Sequence, residues 1–332
     1  MQQIQMNGLT VSALGLGCMG MSEHYGQTDW DVSTATIQHA FDRGITLYDT
    51  ADIYGAGHNE VLLGRALHGH RDDVVLATKF GVDRSSGDDR RSVRGDAAYV
   101  RRSCEASLLR LGTDRIDLYY LHRPPQNVPI EETIGAMADL VDAGKVRRIG
   151  LCEITSEQLR RADSVHHVTA VQSEYSLWSR DVEDVAATLR ELGVGLVAYS
   201  PLGRGFLSGR TDPHLLAASD SRRDHPRFQG ENAAVNTDLV ARFSAIARRL
   251  GVTPAQLALA WVRQRSSTLG VPIVPIPGTR RSARVDENVE ALDVCLDGAT
   301  LDELDPFVRL VAGSRNGALQ HTGGATSPEG RP

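Results

Sequence analysis

Eight short apolar runs, separated mostly by segments of helical period, constrain this chain more than any other feature. They are LGLG (14–17), ITLYD (45–49), VVLATK (74–79), IDLYYLH (116–122), VRRIGL (146–151), TAVQ (169–172), GLVAY (195–199) and IVPI (273–276). Over 96–111, Val100, Cys104, Leu108 and Leu111 recur at helical spacing, with Asp96 at the N-cap and Gly112 just past the end. Patterns over 131–143, 181–192 and 238–250 stop at Gly144, Gly193 and Gly251. Thr253-Pro254 restarts a helix with a capping hydroxyl and a proline in the first turn. Strands alternating with helices call for a parallel sheet, and eight regular repeats predict an α/β fold closed into a (β/α)₈ TIM barrel. Asn7-Gly8 between two alternating runs adds an N-terminal β-hairpin.

A chain of 332 residues fits two average domains or one large barrel. The regular repeat favours one, a single catalytic barrel over 1–312, followed by a weakly ordered tail over 313–332 rich in Gly, Ser and Thr. A long loop, 200–236, follows the seventh strand and carries Arg204, Arg210, Arg222, Arg223 and Arg227 with little apolar periodicity. Loops of that length in a compact domain are functional or disordered.

Gly15-Leu16-Gly17-Cys18-Met19-Gly20 spells GxGxxG. A dinucleotide-binding turn needs a helix to start at the third glycine, so that its N-terminus meets a pyrophosphate. Here the polar stretch MSEHYGQTDWD follows and helical period resumes only near Val32. The glycines are therefore read as a strand end where backbones pass close together.

Barrel chemistry sits at the C-terminal ends of strands. The second strand ends at Asp49, with Tyr54 in its loop, the third at Lys79 and the fourth at His122. The fifth ends at Cys152-Glu153, the sixth at Gln172, the seventh at Tyr199-Ser200. An ammonium emerging from a buried run needs a partner, and Asp49 on the neighbouring strand is the natural one. A structural ion pair would explain those two groups but leaves Tyr54 and His122 without a reason. A tyrosine beside a lysine is expected to have its pKa drawn down from ~10, which suits an acid that acts as base in reverse. His122 then either bonds a substrate oxygen or orients the tyrosine. Asp52 reads as the residue that turns the chain back.

Five separated blocks complete the picture: LYDTADIYGAGHNEVLLGRAL, VVLATKFG, IDLYYLHRP, VAYSPLGRGFLSG and IPGTRR followed by ENVEAL. In this order, over about residues 10–310, they resemble the aldo-keto reductase family, nearest its pyridoxal-reductase-like and auxin-induced-protein-like branch. The resemblance implies an oxidoreductase that reduces an aldehyde or ketone with hydride from NADPH, giving NADP+, and a proton from Tyr54. Asp49 and Lys79 would tune the tyrosine and His122 would align the carbonyl. Gly17, Cys18 and Met19 would lie against the cofactor, with Tyr199 stacked on the nicotinamide and Gln172 on its carboxamide. Ser200, Leu202 and Arg204 would hold the pyrophosphate. Gly278, Thr279, Arg280 and Arg284 would take the 2′-phosphate, and Glu287 and Asn288 the adenine. Cys152-Glu153 departs from the family's Ser-Asn pair and brings a negative charge toward the nicotinamide. The arginines of the last strand-to-helix turn independently favour a 2′-phosphate, hence NADPH over NADH. Tyr25, Trp30, Phe80 and Trp178, with the 81–95 and 200–236 loops, are the expected substrate pocket.

A second reading is an NADPH-binding regulatory subunit resembling ion-channel β-subunits. A Schiff-base aldolase on Lys79 is disfavoured, because Asp49 keeps the amine charged. A net charge of −6 argues against a nucleic-acid partner, and no stretch approaches the ~20 apolar residues of a membrane span. The four cysteines show neither a metal nor a disulfide spacing, and MQQIQMNGLT lacks a signal-peptide pattern. A cytoplasmic protein with no metal and a small-molecule carbonyl substrate is expected.

Overall fold

The computed structural model describes residues 1–84 and 92–315. Its strands are β1 (Gln3–Met6), β2 (Leu9–Ser12), β3 (Leu16–Gly17), β4 (Leu47–Asp49), β5 (Val75–Phe80), β6 (Val82–Asp83), β7 (Ser92–Val93), β8 (Ile116–Leu121), β9 (Val146–Cys152), β10 (Val168–Glu174), β11 (Gly195–Tyr199) and β12 (Ile273–Pro275). Its helices are α1 (Trp30–Asp42), α2 (His58–Ala66), α3 (Ala97–Leu111), α4 (Ile130–Asp142), α5 (Ser156–Asp163), α6 (Ala186–Leu192), α7 (Gly230–Arg249), α8 (Pro254–Leu269), α9 (Ser282–Glu290) and α10 (Gly298–Leu304).

Eight strands pair in parallel in the order β3-β4-β5-β8-β9-β10-β11-β12. The sheet closes on itself: the Gly15 amide donates to the Pro275 carbonyl at 3.0 Å, and Gly17 bridges Gly278. This closure explains the GxGxxG stretch. A Cβ on Gly17 would stand 2.8 Å from the Ile276 carbonyl oxygen, and one on Gly15 2.8 Å from the Ile276 side chain. The glycines let the first and last strands meet; α1 begins only at Trp30.

Side chains alternate across the pleat. Leu47, Ala77, Leu118, Tyr120, Cys152, Val197 and Val274 fill the barrel interior, and Met6, Leu9 and Val11 of the hairpin pack against them from below. The other faces pack on the helices in one continuous core. The hairpin turns at Asn7 and Gly8, both with positive φ (43° and 77°), as the Asn-Gly pair predicts.

Two boundaries differ from the sequence reading. Helix α7 starts at Gly230 rather than 238, which shortens the long loop to 200–229. Its first turns are anchored by amides instead of apolar residues: Asn232 donates to the Pro226 carbonyl and Asn236 to those of Arg227 and Ala312. Apolar periodicity does not register such contacts. Residues 313–315, assigned from sequence to the tail, pack on the barrel, and Arg315 enters a cluster of carboxylates. Residues 316–332 lie outside the described residues. Among those described, no helix is long and apolar enough to cross a membrane.

Candidate active site

Asp49, the last residue of β4, and Lys79, in β5, face the barrel interior near its C-terminal end. Lys79 is 1% exposed and Asp49 3%. The Lys79 ammonium has three N–H groups and three acceptors: Asp49 Oδ1 at 2.5 Å, the Thr50 carbonyl at 2.7 Å and Tyr54 Oη at 3.2 Å. The second oxygen of Asp49 accepts from Gln172 Nε2 at 2.7 Å. Burial lifts the Asp49 carboxyl and is the largest single effect against the Lys79 ammonium; Asp49, Tyr54 and Cys152 together outweigh it and hold the amine protonated.

Tyr54 reaches this pair through a backbone reversal at Gly55, Ala56 and Gly57, whose φ values are 56°, 53° and 91°. Gly57 could not carry a side chain, since a Cβ there would stand 2.6 Å from Arg110 Cδ. Asp52, read from sequence as the turn residue, lies in the turn that the Tyr54 amide closes on the Ala51 carbonyl at 3.2 Å. Its amide donates to the Lys79 carbonyl at 3.0 Å, and its Oδ1 is buried without a hydrogen-bond partner.

The expected fall in the Tyr54 pKa is not found. Burial pushes the phenol up to about 12, and the neighbouring Lys79 charge reverses that only in part, with Asp49 adding to the rise. The phenol is therefore held protonated. Because its oxygen accepts from Lys79, its own hydrogen points elsewhere. The His122 ring stands edge-on to Tyr54, with centroids 5.9 Å apart.

Around these four, Cys152 and Gln172 are buried side by side in register on β9 and β10. Glu153 has φ 50° and is engaged by protein groups: Oε1 accepts from the Glu174 amide at 2.9 Å and Oε2 pairs with Arg315. Burial pushes the Glu153 carboxyl up, yet Arg315 and Arg123 bring it below the usual carboxylate range. Tyr199 is half-buried at the end of β11, and Ser200 and Arg204 adopt left-handed backbone conformations (φ 49° and 56°). Arg204 donates to Glu174 at 3.4 Å, and Leu202 packs on the core. Cys18 donates its amide to the Asp49 carbonyl, and Met19 packs on Ala51, Ile53 and Tyr54.

At the last strand-to-helix turn, Gly278 is exposed and Thr279 buried. Arg280 donates to the carbonyls of Tyr25 and Gln27, tying down the loop after β3. Arg284 is exposed; Glu287 is gripped by Arg210 through two bonds of 2.8 and 2.9 Å, and Asn288 is buried. The N-terminus of α9 has no side-chain cap. Partial desolvation by the surrounding turn first, then repulsion from neighbouring guanidiniums, depresses Arg280 and the solvent-facing Arg284. Crowded arginines beside uncapped helix amides fit an anion such as a phosphate.

The four aromatic residues expected at the substrate pocket lie in different surroundings. Phe80 is fully buried and stacked on Tyr119, with centroids 4.7 Å apart. It follows Lys79, so the pleat turns it out toward the helices. Trp178 is 1% exposed and packs on Phe206 beneath the long loop. Tyr25 is half-buried under the Arg222 guanidinium, and Trp30 opens α1 against His58. In the 81–95 loop, residues 85–91 lie outside the described residues.

Residues 13–309 match the family model described as "Aldo/keto reductase family". The chain belongs to the aldo/keto reductase family. A curated relative, "Probable aldo-keto reductase 1" of Glycine max, is 45% identical over 313 residues, 93% of this chain and 89% of that one. The glycerol dehydrogenase AKR11B4 of Gluconobacter oxydans shares the fold with a TM-score of 0.84 at 25% identity, covering 99% of both chains. The thermostable aldo-keto reductase Tm1743, solved with the inhibitor epalrestat, gives 0.71 at 29% identity, covering 92% of this chain and 100% of that one. Membership makes this aldo-keto reductase an oxidoreductase of carbonyl chemistry, in a family that generally uses nicotinamide cofactors.

Sequence reasoning passed over three charged residues of this aldo-keto reductase's barrel mouth. Glu174 follows Gln172 by two, so strand alternation could have placed it on the same face. Arg123, adjacent to His122, donates to the His122 carbonyl at 2.8 Å. Arg315 has no local signal, because its partners Glu153, Glu174 and Asp181 are distant in sequence.

Asp52 yields a pH prediction. Burial first, and then the Glu60 carboxylate, raise its pKa from 3.8 to about 8. Folding thus favours the protonated form; that contribution is full below 3.8 and is lost as pH rises through about 8. The melting midpoint should fall over this window, and Asp52→Asn should flatten the fall. An unchanged slope in the variant would show that other groups set it.

Proposed function

We propose that this aldo-keto reductase is an NADPH-dependent carbonyl reductase in which Tyr54 is the proton donor. The observation that carries the reading is the Tyr54 phenol oxygen 3.2 Å from an ammonium whose two other bonds go to Asp49 and Thr50. Lys79 stabilises negative charge as it develops on the phenol oxygen, and Asp49 keeps Lys79 charged. The Tyr54 hydrogen is free to be given to a carbonyl oxygen at the mouth, beside the His122 ring, which aligns that oxygen. Bound nicotinamide would supply the hydride. Gln172, Tyr199 and the end of β9 would hold its ring, the 200–229 loop its pyrophosphate, and Arg280 and Arg284 at α9 its 2′-phosphate. All four cysteines are free, which supports a cytoplasmic setting.

The test is NADPH oxidation followed at 340 nm with 4-nitrobenzaldehyde or pyridoxal. Wild-type protein should turn over with NADPH in preference to NADH. Arg284→Ala should raise the KM for NADPH roughly tenfold, the worth of one charge-assisted bond, and leave that for NADH unmoved. Equal changes with both nucleotides would remove the argument for a phosphate site there. Tight NADPH binding without turnover across an aldehyde panel would overturn the catalytic reading.

A further inference from the structure

We propose that Arg315 is a positioning residue of the cofactor site, neutralising Glu153 and thereby setting the balance between oxidised and reduced nicotinamide. This rests on the nicotinamide reading above. Glu153 closes β9 and its amide donates to the Gln172 carbonyl at 3.0 Å, while the Gln172 side chain holds Asp49. Its backbone is therefore tied to the strand whose Gln172 side chain holds the ion pair behind Tyr54. Both Glu153 carboxylate oxygens are held, one by the Glu174 amide and one by the Arg315 guanidinium.

Arg315 lies just beyond residues 13–309, the stretch that matches the family model. Several contacts pin it. Asn236 both donates to the Ala312 carbonyl and accepts from the Ala312 amide, each at 2.9 Å. The Gly313 carbonyl accepts from Arg227 at 3.3 Å, and Arg315 itself bonds Asp181 at 3.2 Å and stands 3.9 Å from Glu174. The segment is built to present a guanidinium to Glu153.

Nicotinamide gains a positive charge when it is oxidised. A bare carboxylate at the end of β9 would favour that form, in a site where burial strengthens charge interactions. Arg315 removes the bias. Arg123 also acts on Glu153 and Arg204 bonds Glu174, but Arg315 is the guanidinium paired with Glu153 Oε2, so its loss makes the mouth more negative by one charge.

The experiment measures dissociation constants of NADP+ and NADPH on the full chain by calorimetry. Arg315→Gln should lower the ratio of the NADP+ constant to the NADPH constant by roughly tenfold. Glu153→Gln added to it should restore the ratio, and Arg315→Lys should hold it. Glu153→Gln alone should move the ratio the opposite way, which reads the same effect if Arg315→Gln does not fold. A merely structural Arg315 would weaken both nucleotides equally, and that result overturns the proposal. Wild-type protein that binds neither nucleotide would instead overturn the nicotinamide reading itself.

Discussion

Tyr54→Phe is expected to lower aldehyde turnover by roughly 10²–10⁴-fold, the usual worth of a positioned general acid. The substitution removes one oxygen and little else. The ring keeps its edge-on contact with His122 and its place 4.9 Å from the Lys79 nitrogen. NADPH affinity should stay within about twofold, because the lost group acts in the transition state rather than in cofactor binding. Single-turnover absorbance at 340 nm, read beside a nucleotide titration, separates the two effects. Turnover close to wild type would exclude Tyr54 as the donor.

Lys79→Met should damage stability as well as activity. The ammonium is 1% exposed, and its removal leaves the Asp49 carboxylate buried with only Gln172 as a side-chain donor. Breaking one partner out of a buried pair costs about 3–5 kcal/mol. Urea unfolding should show that loss at neutral pH. It should shrink on acidification, because burial raises Asp49 and protonation then relieves the orphaned charge. Asp49→Asn added to Lys79→Met should recover much of the stability and none of the turnover. A single variant as stable as wild type would mean that the pair does not compensate a buried charge.

The proposed catalytic set was visible in the sequence because each member ends a strand of obvious period or lies in the loop after it. Lys79 follows Val74-Val75-Leu76-Ala77 and Asp49 follows Leu47-Tyr48, and barrel topology brings neighbouring strand ends together. The same alternation, applied one residue further, places the Phe80 ring on the helix side of the sheet, against Tyr119. The phenol's pKa was not legible, since proximity to Lys79 can be guessed from sequence but burial cannot, and burial proved the larger effect. The pKa of Asp52 was not legible for a related reason. A polar residue in a turn-like stretch looks solvated until packing shows its Oδ1 enclosed near Glu60.

Local pattern by itself determined the barrel, the hairpin, the helix caps at Asp96, Gly112 and Thr253, and the four polar strand-end and loop residues that meet at the mouth. These follow from period, capping chemistry and the fixed handedness of parallel connections, all short-range or topological. Tertiary structure alone decided what neutralises Glu153, where Arg280 and Glu287 spend their hydrogen bonds, and which aromatic rings are core. Those outcomes depend on contacts between residues far apart in the chain, such as Arg315 with Glu153 or Arg210 with Glu287, and on dielectric surroundings that exist only once the barrel has closed.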